Sequence, residues 1–493
     1  MIKTTKLFAL CIPLLLMTSV QAQQVKRLTL SEVIELAEEQ SPSALMAKHR
    51  FRASYWRHRS YKAEFLPSLS LRADLADYNR TYNEQYVDGQ YTFVERNTNT
   101  SALSLQLSQN IGLTGGRVFI SSDLTRFDAF SGDGSTDYIS SPISINFVQP
   151  LFGYNSLKWQ NKTEPLRYER AKKEYLSDIV NVHNMAVNRF FDLATAQVRK
   201  EIAELNYSNS DTLYRIAQGR YNLGTIAEDE LLQMELSWLN AGTARNEAYI
   251  NLDDSELRMR SFLGFNENVR IELIIEDDVP EFEVDVDKVL ELAMENNPFI
   301  LDQELTLLEA ASQVEQARAN RGITGSNLTV SYGMRQRDES LADAYRNPDI
   351  QQRIRVGLTI PILDWGLSKG RLRMAESNQE VTRVRSEQMM TDFIQGIMLD
   401  VHRFNLQPGQ VRIAATSDEI ATRRYEVTRQ RFLIGRIDVL ELNDADRRKD
   451  ENRISFMNAL RTYWSYYYNI RSITLYDFEN DRPLDADFDR LVM

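Results

Sequence analysis

The chain repeats itself, and a repeat limits the folds available more than any other feature. Residues Ser31 to Pro42 recur as Asp287 to Pro298, with Leu36, Ala37 and Pro42 over Leu292, Ala293 and Pro298. Ile145 to Gly153 recurs as Val356 to Asp364, which sets Pro150 over Pro361, and Arg220-Tyr-Asn-Leu-Gly224 recurs as Arg431-Phe-Leu-Ile-Gly435. The first match is offset by 256 positions and the other two by 211, so the first half carries about 45 additional residues between roughly 70 and 145. The reading is a duplicated unit with one enlarged insert.

Both halves follow one plan. A helix comes first, over about 30 to 64 and 287 to 319, with Ser31 and Asp287 as expected capping residues. The period then drops to two: Leu69, Leu71, Ala73 and Leu75 alternate with polar residues, as do Leu103, Leu105 and Leu107, then Ile143, Ile145 and Phe147. The second half repeats this with Leu328, Val330 and Tyr332, then Ile354, Val356, Leu358 and Ile360. Alternation over about ten residues is the pattern of a membrane barrel strand. Asp88-Gly89, Ser131 to Gly134 and Arg337 to Pro348 are polar and turn-rich, and are expected as exposed loops. After Pro150 and Pro361 the pattern becomes helical, from about Thr163 to Gly219 and, with an interruption expected at Pro408, from about Leu367 to Arg431. Nearly 60 residues make a rod of roughly 85 Å, for which a globular domain has no use. Tight turns at Asn222 to Gly224 and Ile434-Gly435 lead into further helices of about 40 residues. The expected domains are a signal peptide at 1–22, a first repeat at 23–278, a second at 279–478 and a tail at 479–493. Strands are placed at about 68–150 and 327–361, and helical hairpins at about 157–264 and 366–477.

The start of the chain agrees with export. Lys3 and Lys6, an apolar run from Leu7 to Leu16 and Val20-Gln21-Ala22 make a secretory signal peptide. The one cysteine, Cys11, falls inside it, so the mature chain is expected to hold no disulfide and no thiolate metal site. Against 58 basic residues stand 70 acidic ones, a net charge of −12, which excludes a basic nucleic-acid footprint. No later stretch has the 18 or so apolar residues of a membrane helix, so membrane insertion would have to use β-strands. Unpaired peptide groups cost several kcal/mol in hydrocarbon, so such strands must close into a barrel, and four or six from one chain are too few. Subunits must share the wall.

Helix, strands, very long helix, tight turn and helix, all twice over, resemble the TolC family of outer-membrane efflux channels across essentially the whole mature chain. The Pro150 and Pro361 exits, the Arg-aromatic-x-x-Gly turns and Ile437 to Leu442 after the second turn carry the resemblance. It implies a mixed α and β fold: a transmembrane antiparallel β-barrel shared by a homotrimer, four strands per chain, continuous with a periplasmic α-helical coiled-coil barrel. The chain departs from this in its insert, where Ser101 to Gln109 and Val118 to Phe127 look like an additional strand pair. Whether that pair joins the wall or lies outside it stays open. The implied location is the outer membrane of a Gram-negative cell, extending into the periplasm. The implied function is a passive exit duct for small molecules in a tripartite efflux system, gated at its periplasmic end. Its partners would be outer-membrane lipid, a periplasmic adaptor and an inner-membrane transporter, with no nucleic acid. Alternatives are a type I protein-secretion duct and a soluble periplasmic coiled-coil scaffold.

Asp438, Glu441 and Asp444, spaced by three, are the gate candidates. Three chains would gather about nine carboxylates there, an electronegative ring that favours cations. Glu228, Asp229 and Glu230 follow the first turn. The plainer reading is that acids favour the positive end of a helix. Arg220, Gly224, Arg431 and Gly435 resemble adaptor-contacting positions, although Gly also serves wherever φ is positive. Tyr463, Trp464, Tyr466, Tyr467 and Tyr468 are expected as buried packing in the helical layer, and Tyr78, Tyr82, Tyr86, Tyr91 and Phe93 as membrane-belt residues. Four scattered histidines (His49, His58, His183, His402) and the lack of GxSxG, HExxH or phosphate-loop motifs speak against an enzyme, a resident metal or a cofactor. The acidic loop Ser131 to Asp137 lacks the closing Glu of a calcium loop.

Overall fold

The computed structural model describes residues 25–87, 89–131, 134–265, 269–321, 324–360, 362–434 and 436–493. The expected signal peptide with Cys11, and Pro361 and Gly435, lie outside them. In chain order the main elements are β1 (Val25–Leu28), α1 (Leu30–Gln40), α2 (Pro42–Ala63), β2 (Ser68–Val87), β3 (Gln90–Ile111), β4 (Gly116–Ala129), β5 (Ser135–Pro150), α3 (Ser156–Asn222) and α4 (Glu228–Leu263). Then follow β6 (Arg270–Leu273), α5 (Val286–Asn296), α6 (Pro298–Ala319), β7 (Thr324–Asp338), β8 (Asp349–Thr359), α7 (Leu367–Leu433) and α8 (Val439–Thr474).

The duplication holds to the residue in the helices. Both ends of α7 and α8 stand 211 positions after those of α3 and α4, and both ends of α5 and α6 stand 256 after those of α1 and α2. Three expectations are corrected. The initial helix is two helices in each half, because Pro42 and Pro298 restart the chain after extended Ser41 and Asn297. The caps lie earlier than Ser31 and Asp287: Thr29 forms a capping box with Glu32, and Asp285 accepts from the Lys288 amide. And Pro408 does not interrupt α7, a continuous helix of 67 residues, about 100 Å long. A proline forfeits one intrahelical bond and crowds one carbonyl, which a gentle bend absorbs when packing holds both sides. Here Phe404 and Val411, flanking it, are both buried.

The chain divides into two compact units. One comprises residues up to Leu45, Asn181–Glu281 and Leu406–Tyr468. There β1 pairs in parallel with β6, Val25 opposite Arg270 through Leu28 opposite Leu273. Val33, Ala37, Ala186, Val187, Met259, Ile271 and Met457 are fully buried. So is Tyr463, whose hydroxyl donates to the Pro280 carbonyl at 2.6 Å. Tyr467 and Tyr468 are buried as well, so the late aromatic run packs a helical layer as expected. Gly264 ends α4 at φ 73, where its Cα stands so near the Gln40 carbonyl that a Cβ would lie 3.2 Å from it.

The other unit comprises Met46–Val180, Phe282–Asn405 and Asn469–Met493. Phe51 packs there against Tyr168, Tyr175 and Phe488, and Phe404 against Phe282. It carries one six-stranded antiparallel sheet in the order β2-β3-β4-β5-β7-β8, open at β2 and β8. Register shifts between Asp74 and Asp77, Ser121 and Asp123, and Ser140 and Ser144 mark bulges, which curl a sheet. The segment between β7 and β8 is exposed over most of its length, as expected, and within it a short helical turn over Asp343–Tyr345 buries Ala344, whose carbonyl accepts from the Ser140 hydroxyl. Asp137, from the acidic loop, is taken up by Arg337 at 2.7 Å. Of the expected belt residues, Tyr78 pairs opposite Asn99, whereas Tyr86 and Tyr91 pair at the far end of the β2–β3 hairpin. A strand crosses a bilayer in about ten residues, whereas β2 and β3 run for 20 and 22. At the opposite end of the sheet, Phe152 and Trp365 are exposed.

Candidate functional site

The two helical turns belong to one unit and are built alike. In the first, the Arg220 carbonyl accepts from the Thr225 amide and hydroxyl, both at 2.9 Å, while Gly224, at φ 71, donates to the Tyr221 carbonyl. In the second, the Arg431 carbonyl accepts from the Arg436 amide at 3.0 Å. A bond from five residues on, closed in the first turn over the left-handed Gly224, is the Schellman ending that makes a helix reverse. The arginine of the repeated motif thus contributes its backbone to the turn, and its side chain remains available. Leu223 and Ile434 are 80 % and 67 % exposed, so each tip offers an apolar residue to solvent.

Between the turns lies a cleft of about 730 Å³ lined by Arg220, Asp229, Glu230, Phe432, Arg436 and Asp438. Sequence reasoning had treated the arginines and the acids as separate groups; the fold gathers members of both. Glu228, Asp229 and Glu230 occupy the first turn of α4, where Ala227 supplies no side-chain cap and their charge answers the helix dipole.

The three gate candidates divide. Asp438 precedes α8 and caps it, accepting from the Glu441 amide at 2.9 Å, so only Glu441 and Asp444 lie within the helix. Glu441 is exposed. Asp444 is held by Arg448, Arg447 and Arg424 at 2.9, 3.0 and 3.2 Å, which keep its carboxyl below the usual range. Arg447 and Arg448 lie at i+3 and i+4 and could have been foreseen; Arg424 comes from α7 and could not.

Beneath the tips lies a polar group that sequence reasoning missed. The Lys449 ammonium stands 4.1 Å over the ring of Tyr425 and bonds Asp446 at 2.7 Å, while Asn206 donates to Asp450 at 2.7 Å and Asn209 to the Tyr425 hydroxyl at 3.3 Å. Burial raises Tyr425 and Asp450; for Lys449 it opposes the charge, but Asp446 and Asp450 outweigh it and hold the ammonium above its usual value. Six polar residues on three helices thus fix α3, α7 and α8 together. Among the described residues no set of histidine, cysteine and carboxylate groups is arranged to hold a metal, and no helix is long and apolar enough to cross a membrane.

The sequence profile of outer membrane efflux proteins matches residues 33–265 and 289–474, one block in each repeat. The chain belongs to the outer membrane efflux protein family. It is therefore an outer-membrane efflux protein, of a family whose members are channels and not enzymes. Its fold is similar to the CmeC outer membrane channel of Campylobacter jejuni, at 15% identity and TM-score 0.66, over 94% of this chain and 88% of that one. It also resembles the outer membrane protein VceC of Vibrio cholerae, at 14% identity and TM-score 0.61, over 92% and 97%. A membrane protein of Pseudomonas aeruginosa matches at 11% identity and TM-score 0.62, over 93% and 92%. No curated protein sequence is significantly similar to the chain. Family membership thus rests on the sequence profile, and these structures carry the fold.

Proposed function

We propose that this efflux family member works as a homotrimeric exit duct for small molecules, closed at its periplasmic tips and opened by an adaptor and an inner-membrane transporter. The observation that carries the assembly is a pair of apolar stripes with no covering in the single chain. Along α7, Leu399, Leu406, Ile413, Ile420 and Val427 recur every seventh residue and are 48 to 64 % exposed. Along α4, Leu232, Leu236, Leu239, Ile250 and Leu257, at intervals of four, three, eleven and seven, are 52 to 68 % exposed. Strict heptads are coiled-coil seams, and a seam left in water wants another helix. Neighbouring copies supply one.

At the tips, Arg220, Gly224, Arg431 and Gly435 serve as adaptor contacts, with Leu223 and Ile434 as apolar anchors beside them. Two turns carrying one repeated motif per chain give six similar docking points per trimer. The gate is assigned to Asp438 and Glu441, with Asp444 as its arginine-bound base. Planar-bilayer recording on the purified protein, together with its mass in detergent, tests the duct: long-lived channels from a trimer are expected, and a monomer without conductance overturns the proposal. Asp438→Asn with Glu441→Gln is expected to weaken block by divalent cations. Unchanged block removes both residues from the gate.

A further inference from the structure

The insert in the first half is a β-hairpin, and the repeat identifies it. Strand β7 begins 256 positions after β2, and β8 falls where an offset of 211 carries β5, so β3 and β4 are the strands with no counterpart. They are not appended to the sheet. They stand inside it, between β2 and β5. Ser68 to Val87 pair with Gln90 to Ser108 of β3, and Arg117 to Ala129 of β4 pair with Ser135 to Val148 of β5. The two strands that a four-stranded protomer would join directly are therefore held apart by a pair that satisfies the inward edges of both.

One face of all six strands carries apolar residues, interrupted at Ser122 opposite Leu105, Ser140 opposite Leu124 and Gln149 opposite Leu328. Leu69, Leu71 and Ala73 of β2 stand opposite Leu107, Leu105 and Leu103 of β3, and Leu107 and Leu103 stand opposite Ile120 and Leu124 of β4. Ile120 faces Ile145, Ile145 faces Tyr332, Phe147 faces Val330, and Val330 faces Ile354 of β8. The intervening residues, Ser104, Gln106, Ser108, Ser144, Asn146, Ser331 and Arg353, put hydroxyls, amides and charge on the other face. A hairpin outside a barrel wall has no reason to continue the wall's apolar stripe. Alternation with lipid on one side and water on the other is the condition of a spanning strand.

We propose that all six strands of each chain, β3 and β4 included, form the membrane wall, and that the free edges of β2 and β8 are closed by neighbouring copies, β8 of one on β2 of the next. Six antiparallel strands put β2 and β8 in opposite directions, so copy joins copy by an antiparallel ladder with no parallel seam. An open edge in hydrocarbon leaves several kcal/mol of peptide groups unpaired at each residue pair, and barrel closure removes it. Resting on the trimeric reading above, three chains of six strands make an eighteen-stranded barrel. Since diameter grows roughly linearly with strand number, its mouth is about half as wide again as that of a twelve-stranded one.

Two measurements on the full chain test this. With Cys11 as the sole native cysteine, pairs are introduced, one from Leu69, Leu71 or Ala73 of β2 and one from Ile354, Val356 or Leu358 of β8. At least one of the nine combinations is expected to give intermolecular disulfides that survive denaturing electrophoresis. Separately, a fluorescent label at Leu105→Cys or Leu124→Cys in proteoliposomes is expected to be quenched by brominated acyl chains as strongly as one at Ile354→Cys, and one at Gln106→Cys is not. Failure of all nine pairs in assembled protein, or an unquenched label at Leu105 and Leu124 beside a quenched one at Ile354, overturns the six-stranded wall. Covalent rings of another number of chains, with Leu105 and Leu124 quenched, would keep the wall and overturn the trimer.

Discussion

Asp438 and Asp444, alike in the sequence, are set apart by what surrounds them. Asp438 spends its carboxylate on an amide at the start of α8, and Asp444 on three guanidinium groups. A carboxyl lowered in the folded state adds stability that is present above its unfolded value, near 3.9, and is lost as pH falls through the folded one. Thermal unfolding of the wild type is therefore expected to weaken below about pH 4 in a step that Asp444→Asn lacks. Asp450 has the opposite sign. Burial raises it, so its contribution is full below the unfolded value and lost as pH rises through the folded one. Asp450→Asn keeps a partner for Asn206 and is expected to flatten the decline in thermal midpoint above about pH 4. At this scale the turn from Arg220 to Gly224 was legible because a glycine at positive φ is a local requirement. The distant partners of Asp444 and Asp450 were not, since Arg424 and Asn206 come from helices far off in sequence.

Among the elements, helix limits could be read to within a few residues wherever caps and periodicity agreed, and misread where one residue type was given too much weight. Pro408 is the case in point. A helix-interior proline costs about 3 kcal/mol in isolation, yet buried Phe404 and Val411 keep α7 continuous across it. Pro408→Ala is expected to raise the thermal midpoint with channel conductance unchanged; a lowered midpoint would mean that the proline ring itself contributes to the packing. At the first turn, Gly224→Ala forces a Cβ into the left-handed region at a cost of about 1 kcal/mol. Adaptor pull-down is expected to weaken while assembly in detergent is retained.

For the whole molecule, the alternating residues identified strands one at a time, but strand order depends on pairings between distant segments. The excess of the first half was visible as the difference between two offsets, and its two strands could be placed along the chain. That they separate β2 from β5 could not be read, because neither neighbour is announced by a local pattern. The apolar stripes of α4 and α7 were equally hidden inside sequences read simply as helical, and only exposure in the folded chain sets them apart from core.

The equal lengths of the two hairpins act as a ruler. Both have one arm of 67 residues and one of 36, although the halves differ by a whole hairpin of strand elsewhere. Growth of the chain has been tolerated in the sheet and refused in the arms. A duct that must meet a partner at a fixed distance would impose that restriction, because lengthening one arm lifts one contact point away from its fellows. Removing about two turns, seven residues, from both arms of one hairpin shortens it by roughly 10 Å and is expected to abolish export. The same cut made in all four arms should restore assembly with matched tips and leave the gap to the partner as the sole defect, one that a correspondingly longer adaptor could span.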